Sequence, residues 1–160
     1  MKIIVNMACG LANRMFQYSY YLFLKKRGYD VAVDFYHSAK LAHEKVAWSA
    51  IFPHAEIKQA SHFKVFLWGG GSDIFSKLRR KYFPWSTKVK TTTGAFDASL
   101  PVDTMHSQYI IGVFLNAVII EAVDDEVKKS FSFLPFTDEM NLLIEKEIEG
   151  CESVAIHVRK

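Results

Sequence analysis

The chain is poor in cysteine and has no motif typical of a metal site. Its 160 residues include two cysteines, Cys9 and Cys151, which lie far apart and form no C-x-x-C pair. This spacing excludes a disulfide framework and a zinc cluster, and it suits a reducing cytoplasm. We expect both cysteines to be buried as small apolar residues.

The chain also lacks a strong charge excess and a long apolar run. Lys and Arg number 20 against 17 Asp and Glu, too small an excess for a nucleic-acid-binding protein but compatible with a small anionic ligand. The most membrane-like stretch, Tyr109 to Ile120, contains Gly112 and Asn116, and its length of about a dozen residues falls short of the roughly 20 that span a bilayer. The N-terminus has no secretory signal pattern. We therefore expect a soluble, cytoplasmic protein.

Half of the residues are hydrophobic, which is enough for one domain with a full core. The chain opens with an apolar strand, Lys2 to Asn6, which is followed by a polar turn and a long apolar helix. The helix is predicted to begin near Leu11 or Asn13, with Asn13 as its N-cap, and to run to Arg27, where Gly28 stops it.

A turn of this kind, from a strand into a helix, presents backbone N–H groups and the positive end of a helix dipole to an anion. Gly10 lies in this turn, and Arg14 would add a fixed positive charge beside it. The alternative is that any strand-to-helix unit needs a glycine and a cap here.

A second strand is predicted over Tyr29 to Phe35, which makes a βαβ unit with the first strand and helix. Asp34 then lies at the carboxyl end of that strand, the edge at which open α/β sheets bind ligands. We expect Asp34 to accept a hydrogen bond from a ribose or sugar hydroxyl, or else to open a turn or cap the next segment.

The middle of the chain gives weaker signals. The histidines at 37, 43 and 54 fit no metal motif, and Gly69 to Gly71 is interpreted as a flexible turn that ends in a helix cap at Ser72 or Asp73. The helix predicted over Asp73 to Phe83 spaces Ile74, Phe75 and Leu78 helically and exposes Lys77, Arg79, Arg80 and Lys81. We interpret its basic side as a solvated helix face rather than a membrane or polyanion patch.

The second half is predicted to contain strands over Thr87 to Thr93 and Tyr109 to Phe114, and a helix whose acidic start at Asp124 complements the helix dipole. An amphipathic helix is predicted over Thr137 to Glu149, capped by Thr137 and ended by Gly150. A last strand is predicted over Ser153 to Lys160. Its His157 and Arg159 share one face, where they are placed to hold a phosphate.

Three blocks together resemble the α-1,2-fucosyltransferases of glycosyltransferase family 11. The segment from Gly10 to Tyr18 resembles the family's G-L-G-N-Q-M-F-Q-Y opening, and His157 to Lys160 resembles the start of its H-x-R-R-G-D-Y block. Between them, Asp125 to Phe133 is similar to the family's D-E-I-R-K-x-F-x-F stretch.

The resemblance implies an α/β fold, the Rossmann-like N-terminal half of a GT-B-type glycosyltransferase. Residues 1–152 would form the acceptor-side domain, and residues 153–160 would begin the GDP-fucose-binding domain. The implied reaction is the inverting transfer of fucose from GDP-β-L-fucose to the 2-hydroxyl of a galactoside, without a metal or other cofactor. A lipid-linked glycan acceptor would bring the enzyme to a membrane periphery.

Carried over by position, Arg159 would neutralise the pyrophosphate of the departing GDP, supported by His157, while Asn13 would act from the opposite wall of the cleft. Substrate contacts would come from Asp34 and from the opening block, namely Gly10, Arg14 and Gln17. Fixed cations and N–H donors suffice for this chemistry, because negative charge develops on the leaving phosphate.

The chain departs from the family pattern at several positions. Ala12 and Arg14 replace a glycine and a glutamine, and Gly112 to Ala117 replaces the family's G-Y-x-Q-S-E block. Gly-Asp-Tyr does not follow within the 160 residues, so we expect the chain to fold as the N-terminal half and to transfer no fucose. The alternatives are a non-catalytic nucleotide- or sugar-phosphate-binding module and a degraded gene product that persists as a folded domain or pairs with another chain.

Overall fold

The computed structural model describes residues 2–35, 48–92, 106–154 and 156. Within these ranges the strands are β1 (Lys2–Asn6), β2 (Asp30–Asp34), β3 (Val89–Thr91) and β4 (Gln108–Ile111). The helices are α1 (Leu11–Lys26), α2 (Trp48–Ile51), α3 (His62–Leu67), α4 (Ile74–Tyr82), α5 (Ala117–Glu121), α6 (Asp124–Ser130) and α7 (Glu139–Glu149), and a 3-10 turn spans Pro84–Ser86.

The four strands form one parallel sheet in the order β2-β1-β4-β3. Asn6 pairs in register with Asp34, and Ile4 with Tyr109. The sheet and its helices confirm the α/β prediction and are compatible with a Rossmann-like fold. Because parallel strands all point the same way, the residues after Asn6, Asp34 and Ile111 meet at one edge, the carboxyl edge.

Both faces of the sheet are covered. On one face Ile3, Val5 and Ile110 are buried in a cluster with aromatic residues of α1. On the other face Ile4 and Tyr109 pack with Ala32, Ala60 and Val65. This double coverage explains why β1 has an uninterrupted apolar sequence rather than an alternating one. Each such buried side chain contributes about 2 kcal/mol of apolar burial.

The first helix matches its prediction closely. Its buried residues include Tyr18, Tyr20 and Leu24, and Gly28 follows it with a φ of 84°, a left-handed conformation that suits glycine. The predicted N-cap at Asn13 is wrong, because the helix begins at Leu11 and Gly10 is the N-cap. Two predicted cysteine environments are also wrong, since both cysteines are exposed.

The later elements differ from their predictions mostly at their ends. The amphipathic helix α7 begins at Glu139, and its cap is Asp138, which accepts from the Asn141 backbone N–H at 3.0 Å, rather than Thr137. All of its residues are exposed.

The terminal strand predicted over residues 153–160 is not present at the residues described there. Ser153, Val154 and Ile156 lie outside the sheet and are exposed. His157 and Arg159 fall outside the described residues, as do the histidines at 37 and 43.

Candidate functional site

The carboxyl edge of the sheet brings together five of the seven predicted site residues. Gly10, Asn13, Arg14 and Gln17 follow β1, and Asp34 ends β2 beside them. The Met7 backbone N–H donates to the Asp34 carbonyl at 3.0 Å and joins the two strand ends.

The turn between β1 and α1 owes its shape to Cys9 rather than to Gly10. Cys9 has a φ of 73°, in the left-handed region, whereas Gly10 has an extended backbone with a φ of −70°. A non-glycine residue in this region is strained by about 1 kcal/mol. The left-handed conformation in this turn is therefore adopted by Cys9, one residue before the glycine.

Arg14 is buried against this turn. It is 5% exposed, and its Nε donates to the Cys9 carbonyl oxygen at 3.0 Å. Its backbone N–H closes the first helical hydrogen bond, to Gly10. The guanidinium thus supports the strained turn and adds positive charge at the amino end of α1, where the helix dipole already favours an anion.

Gln17 connects the turn to the end of β4. Its buried side-chain oxygen accepts from the Ala8 N–H at 2.9 Å, and its Nε2 donates to the Gly112 carbonyl at 2.8 Å. One amide therefore satisfies two backbone groups of different loops. Gln17 therefore links the turn after β1 to the loop after β4, and both of its polar side-chain atoms are hydrogen-bonded within the protein.

Asp34 belongs to a buried hydrogen-bond chain that the sequence reasoning missed. Its Oδ2 accepts from Tyr109 Oη at 2.6 Å, and that hydroxyl accepts from Asn6 Nδ2 at 2.8 Å. Asp34 and Tyr109 are fully buried, and Asn6 is nearly so. Burial, together with the neighbouring carboxylate of Asp34, raises the pKa of Tyr109 far above its ordinary value, so the phenol remains a donor.

The strand register explains how the three residues of this hydrogen-bond chain come together. Alternate residues of a strand share a face, and the register of β4 against β1 places Tyr109 on the face that carries Asn6 and Asp34. The long tyrosine side chain then reaches along the face to the carboxyl edge. Neither the register nor the pairing of β4 with β1 follows from the sequence alone.

The three consecutive glycines pack closely beside this chain. A Cβ on Gly70 would lie 2.4 Å from Tyr109 Cε2, closer than carbon atoms approach. Arg80 Nη1 donates to the carbonyls of Gly71, at 2.7 Å, and Gly69. All three glycines are buried, and a turn lies at Gly69. The predicted cap at Asp73 is confirmed by its bond from the Ser76 N–H at 2.8 Å.

An apolar groove of about 300 Å³ runs along the outer side of the opening block. Ala12, Met15 and Phe16 of α1 line it, opposite Ile120 and Phe131. Met15 and Phe16 of the opening block therefore form part of the groove wall, and Met15 also packs against the core.

Among residues 2–35, 48–92, 106–154 and 156, no group of three or more His, Cys, Asp or Glu residues is arranged to hold a metal ion. Over the same ranges, every helix is too short or too polar to cross a bilayer.

Comparisons of the chain with protein-family models, with curated proteins and with solved structures each return no match.

Proposed function

We propose that the chain is the acceptor-side half of an α-1,2-fucosyltransferase of glycosyltransferase family 11, with a GT-B-type architecture. The observation that supports this most is the meeting of Gly10, Arg14, Gln17 and Asp34 at the carboxyl edge of a parallel sheet. Ligands bind at that edge in open α/β folds. The opening block, one of the three blocks that carry the resemblance, therefore follows β1 at an edge where a sugar or nucleotide could bind.

The proposed mechanism uses fixed charge. In the complete cleft, Arg159 and His157 stabilise the pyrophosphate as the bond to fucose breaks. The buried Arg14 and the amino end of α1, close to Asn13, add positive potential from the opposite wall. The acceptor 2-hydroxyl oxygen bonds to the fucose carbon as GDP leaves with the electron pair, and the hydroxyl proton passes to water. Interactions with GDP that strengthen as its negative charge develops lower the barrier.

The role proposed for Asp34 is narrower than the sequence indicates. Its carboxylate is fully buried and accepts from Tyr109, so it orients the edge of the sheet and does not act as the general base. The hydroxyl of a sugar would approach the backbone groups around it rather than the carboxylate itself.

A second candidate is a non-catalytic nucleotide- or sugar-phosphate-binding module. The burial of Asp34 favours it, because Asp34 is the only acidic residue among residues 6–17, 34 and 112–116. The described part of the carboxyl edge thus offers an anion-binding turn without an exposed carboxylate base.

Ligand-observed NMR on the chain separates the two candidates. The acceptor-side proposal predicts saturation transfer to a β-galactoside such as lactose, and weaker transfer to GDP-β-L-fucose. The binding-module candidate predicts transfer to nucleotides and sugar phosphates but none to lactose. Transfer to none of these ligands contradicts both.

The variant Arg14→Gln supplies a matched control, since it restores the glutamine of the family pattern. Under the first proposal it keeps lactose binding and weakens GDP-fucose binding, because one fixed positive charge is lost. If Arg14→Gln abolished lactose binding while the fold was retained, the acceptor assignment would be wrong.

A further inference from the structure

Helix α4 is packed with its polar side inward. Ser76 is its buried residue, and Arg79 and Arg80 lie on the same side, three and four residues later. An amphipathic helix on a globular protein ordinarily turns its apolar stripe to the core. Here the arrangement is reversed.

Two arginines hold the helix in this orientation. Arg79 Nη2 donates to the carbonyl of Leu67 at 2.9 Å and to that of Ser86, and Arg79 Nε donates to Ser86 Oγ at 3.0 Å. Arg80 is fixed by the carbonyls of Gly69 and Gly71. These bonds tie α4 to the segments before and after it, so its outer face is determined by the fold.

The outer face is an apolar stripe that consists of Ile74, Phe75, Leu78 and Tyr82, continued by Trp85. Ile74, Phe75 and Trp85 are 73%, 77% and 78% exposed, and the other two are also exposed. The spacing of four between Ile74, Leu78 and Tyr82 aligns them along one side of the helix. We call these five residues the outer stripe.

Positive charge surrounds the outer stripe. Residues 61–90 contain seven Lys and Arg residues and one acid, Asp73, whereas the rest of the chain has thirteen basic residues against sixteen acidic ones. Lys77 and Lys81 are exposed on α4 beside the stripe, and Trp85 lines an open groove of about 520 Å³ with Lys88 and Lys90. The basic residues of the chain are thus enriched in the segment that contains the outer stripe.

We propose that the outer stripe docks the protein onto an anionic lipid surface, with α4 lying in the plane of the interface. Apolar side chains on one side of a basic helix insert at the boundary between headgroups and acyl chains. Tyr82 and Trp85 suit that boundary, because each has an apolar ring and one polar atom. Lys77, Lys81 and Lys88 would lie among the phosphates. This proposal replaces the interpretation of the basic side of α4 as a solvated face, and it is independent of the reaction proposed for the carboxyl edge.

The competing occupant is the α7 helix of a second copy of the chain, which is acidic and exposes Met140 and Leu143. The stripe favours lipid because it ends in Tyr82 and Trp85, residue types that are enriched at membrane–water boundaries. The test has to distinguish the two partners.

Vesicle flotation measures the docking directly. The chain is mixed with phosphatidylcholine vesicles that contain or lack phosphatidylglycerol, at low and high salt. We expect flotation with the anionic vesicles, a loss with pure phosphatidylcholine, and weakening at high salt. The double variant Lys77→Glu and Lys81→Glu should lose at least 20-fold in partitioning, since each removed lysine costs roughly fivefold.

Phe75→Ser and Trp85→Ser test the apolar part of the stripe, and each should weaken partitioning about tenfold. Both side chains are exposed, so circular dichroism should be unchanged. Met140→Ser and Lys129→Glu are matched controls at other exposed positions, and they should float like the parent chain.

The proposal is overturned if the parent chain does not float with anionic vesicles, or if the controls lose as much partitioning as the stripe variants. It is also overturned if the parent chain does not bind vesicles and sedimentation velocity shows that it is a dimer, which both Phe75→Ser and Met140→Ser dissociate. That result would assign the stripe to a second copy of the chain.

Discussion

The replacement Tyr109→Phe removes the hydroxyl at the centre of the buried hydrogen-bond chain. In the parent protein this hydroxyl donates to Asp34 Oδ2 at 2.6 Å and accepts from Asn6 Nδ2 at 2.8 Å. The first bond has a carboxylate acceptor in a fully buried setting, so we expect its loss to cost about 2 kcal/mol. The second bond is neutral and adds about 1 kcal/mol.

The expected loss is therefore about 3 kcal/mol in the free energy of unfolding, measured by urea denaturation. For a chain of this length, such a loss lowers Tm by about 9 °C. The phenylalanine ring keeps the packing against Gly70, so a cavity does not contribute to the difference.

Tyr20→Phe is the matched control. Tyr20 is as buried as Tyr109, but among the described residues its hydroxyl has no hydrogen-bond partner. Deleting an unpaired buried hydroxyl should leave stability unchanged or raise it by up to about 1 kcal/mol. Equal losses in the two variants would refute the assignment of the stability to the hydrogen bonds of Tyr109.

Four further substitutions test other features of the fold. Gly70→Ala should destabilise by about 3 kcal/mol in urea denaturation because its Cβ would overlap the Tyr109 ring, whereas Gly28→Ala, with nothing within 4 Å but a φ of 84°, should cost about 1 kcal/mol. Gln17→Leu should cost about 2 kcal/mol by leaving two backbone groups without their partner, and full parental stability would contradict that role. Hydrogen bonds from Ser76 hold the pKa of Asp73 below its ordinary value of 3.8. The ionised cap therefore stabilises the fold above pH 3.8, and this contribution is lost as the pH falls and the carboxylate is protonated. Between about pH 7 and about pH 3, Tm should therefore fall less in Asp73→Asn than in the parent.

The strand-to-helix opening could be predicted because local signals agree there. An apolar strand, a polar turn and an apolar helix ended by Gly28 place β1 and α1 to within a residue or two. The cap was mispredicted because Asn13 and Gly10 both suit that position, and the choice depends on the turn at Cys9. Helix capping is decided by backbone geometry as well as by residue type.

The long-range features could not be predicted from the sequence. The bond from Tyr109 to Asp34 joins residues 75 positions apart and depends on which strands are neighbours. The outward face of α4 likewise depends on carbonyls that Arg79 and Arg80 reach in other segments. The sequence pattern of α4 shows that an apolar stripe exists, but the direction of that stripe follows only from the packing.

The proposed acceptor-side role requires the carboxyl edge around the opening block to recognise a galactoside. The most direct measurement is a lactose titration of the ¹⁵N-labelled chain, followed by amide chemical shifts. We predict that the shifts concentrate at Ala8, Gly10, Ala12 and Gly112, with none on α7, and that galactose outcompetes glucose. An absence of shifts at these amides, or equal shifts over the whole chain, would contradict the claim.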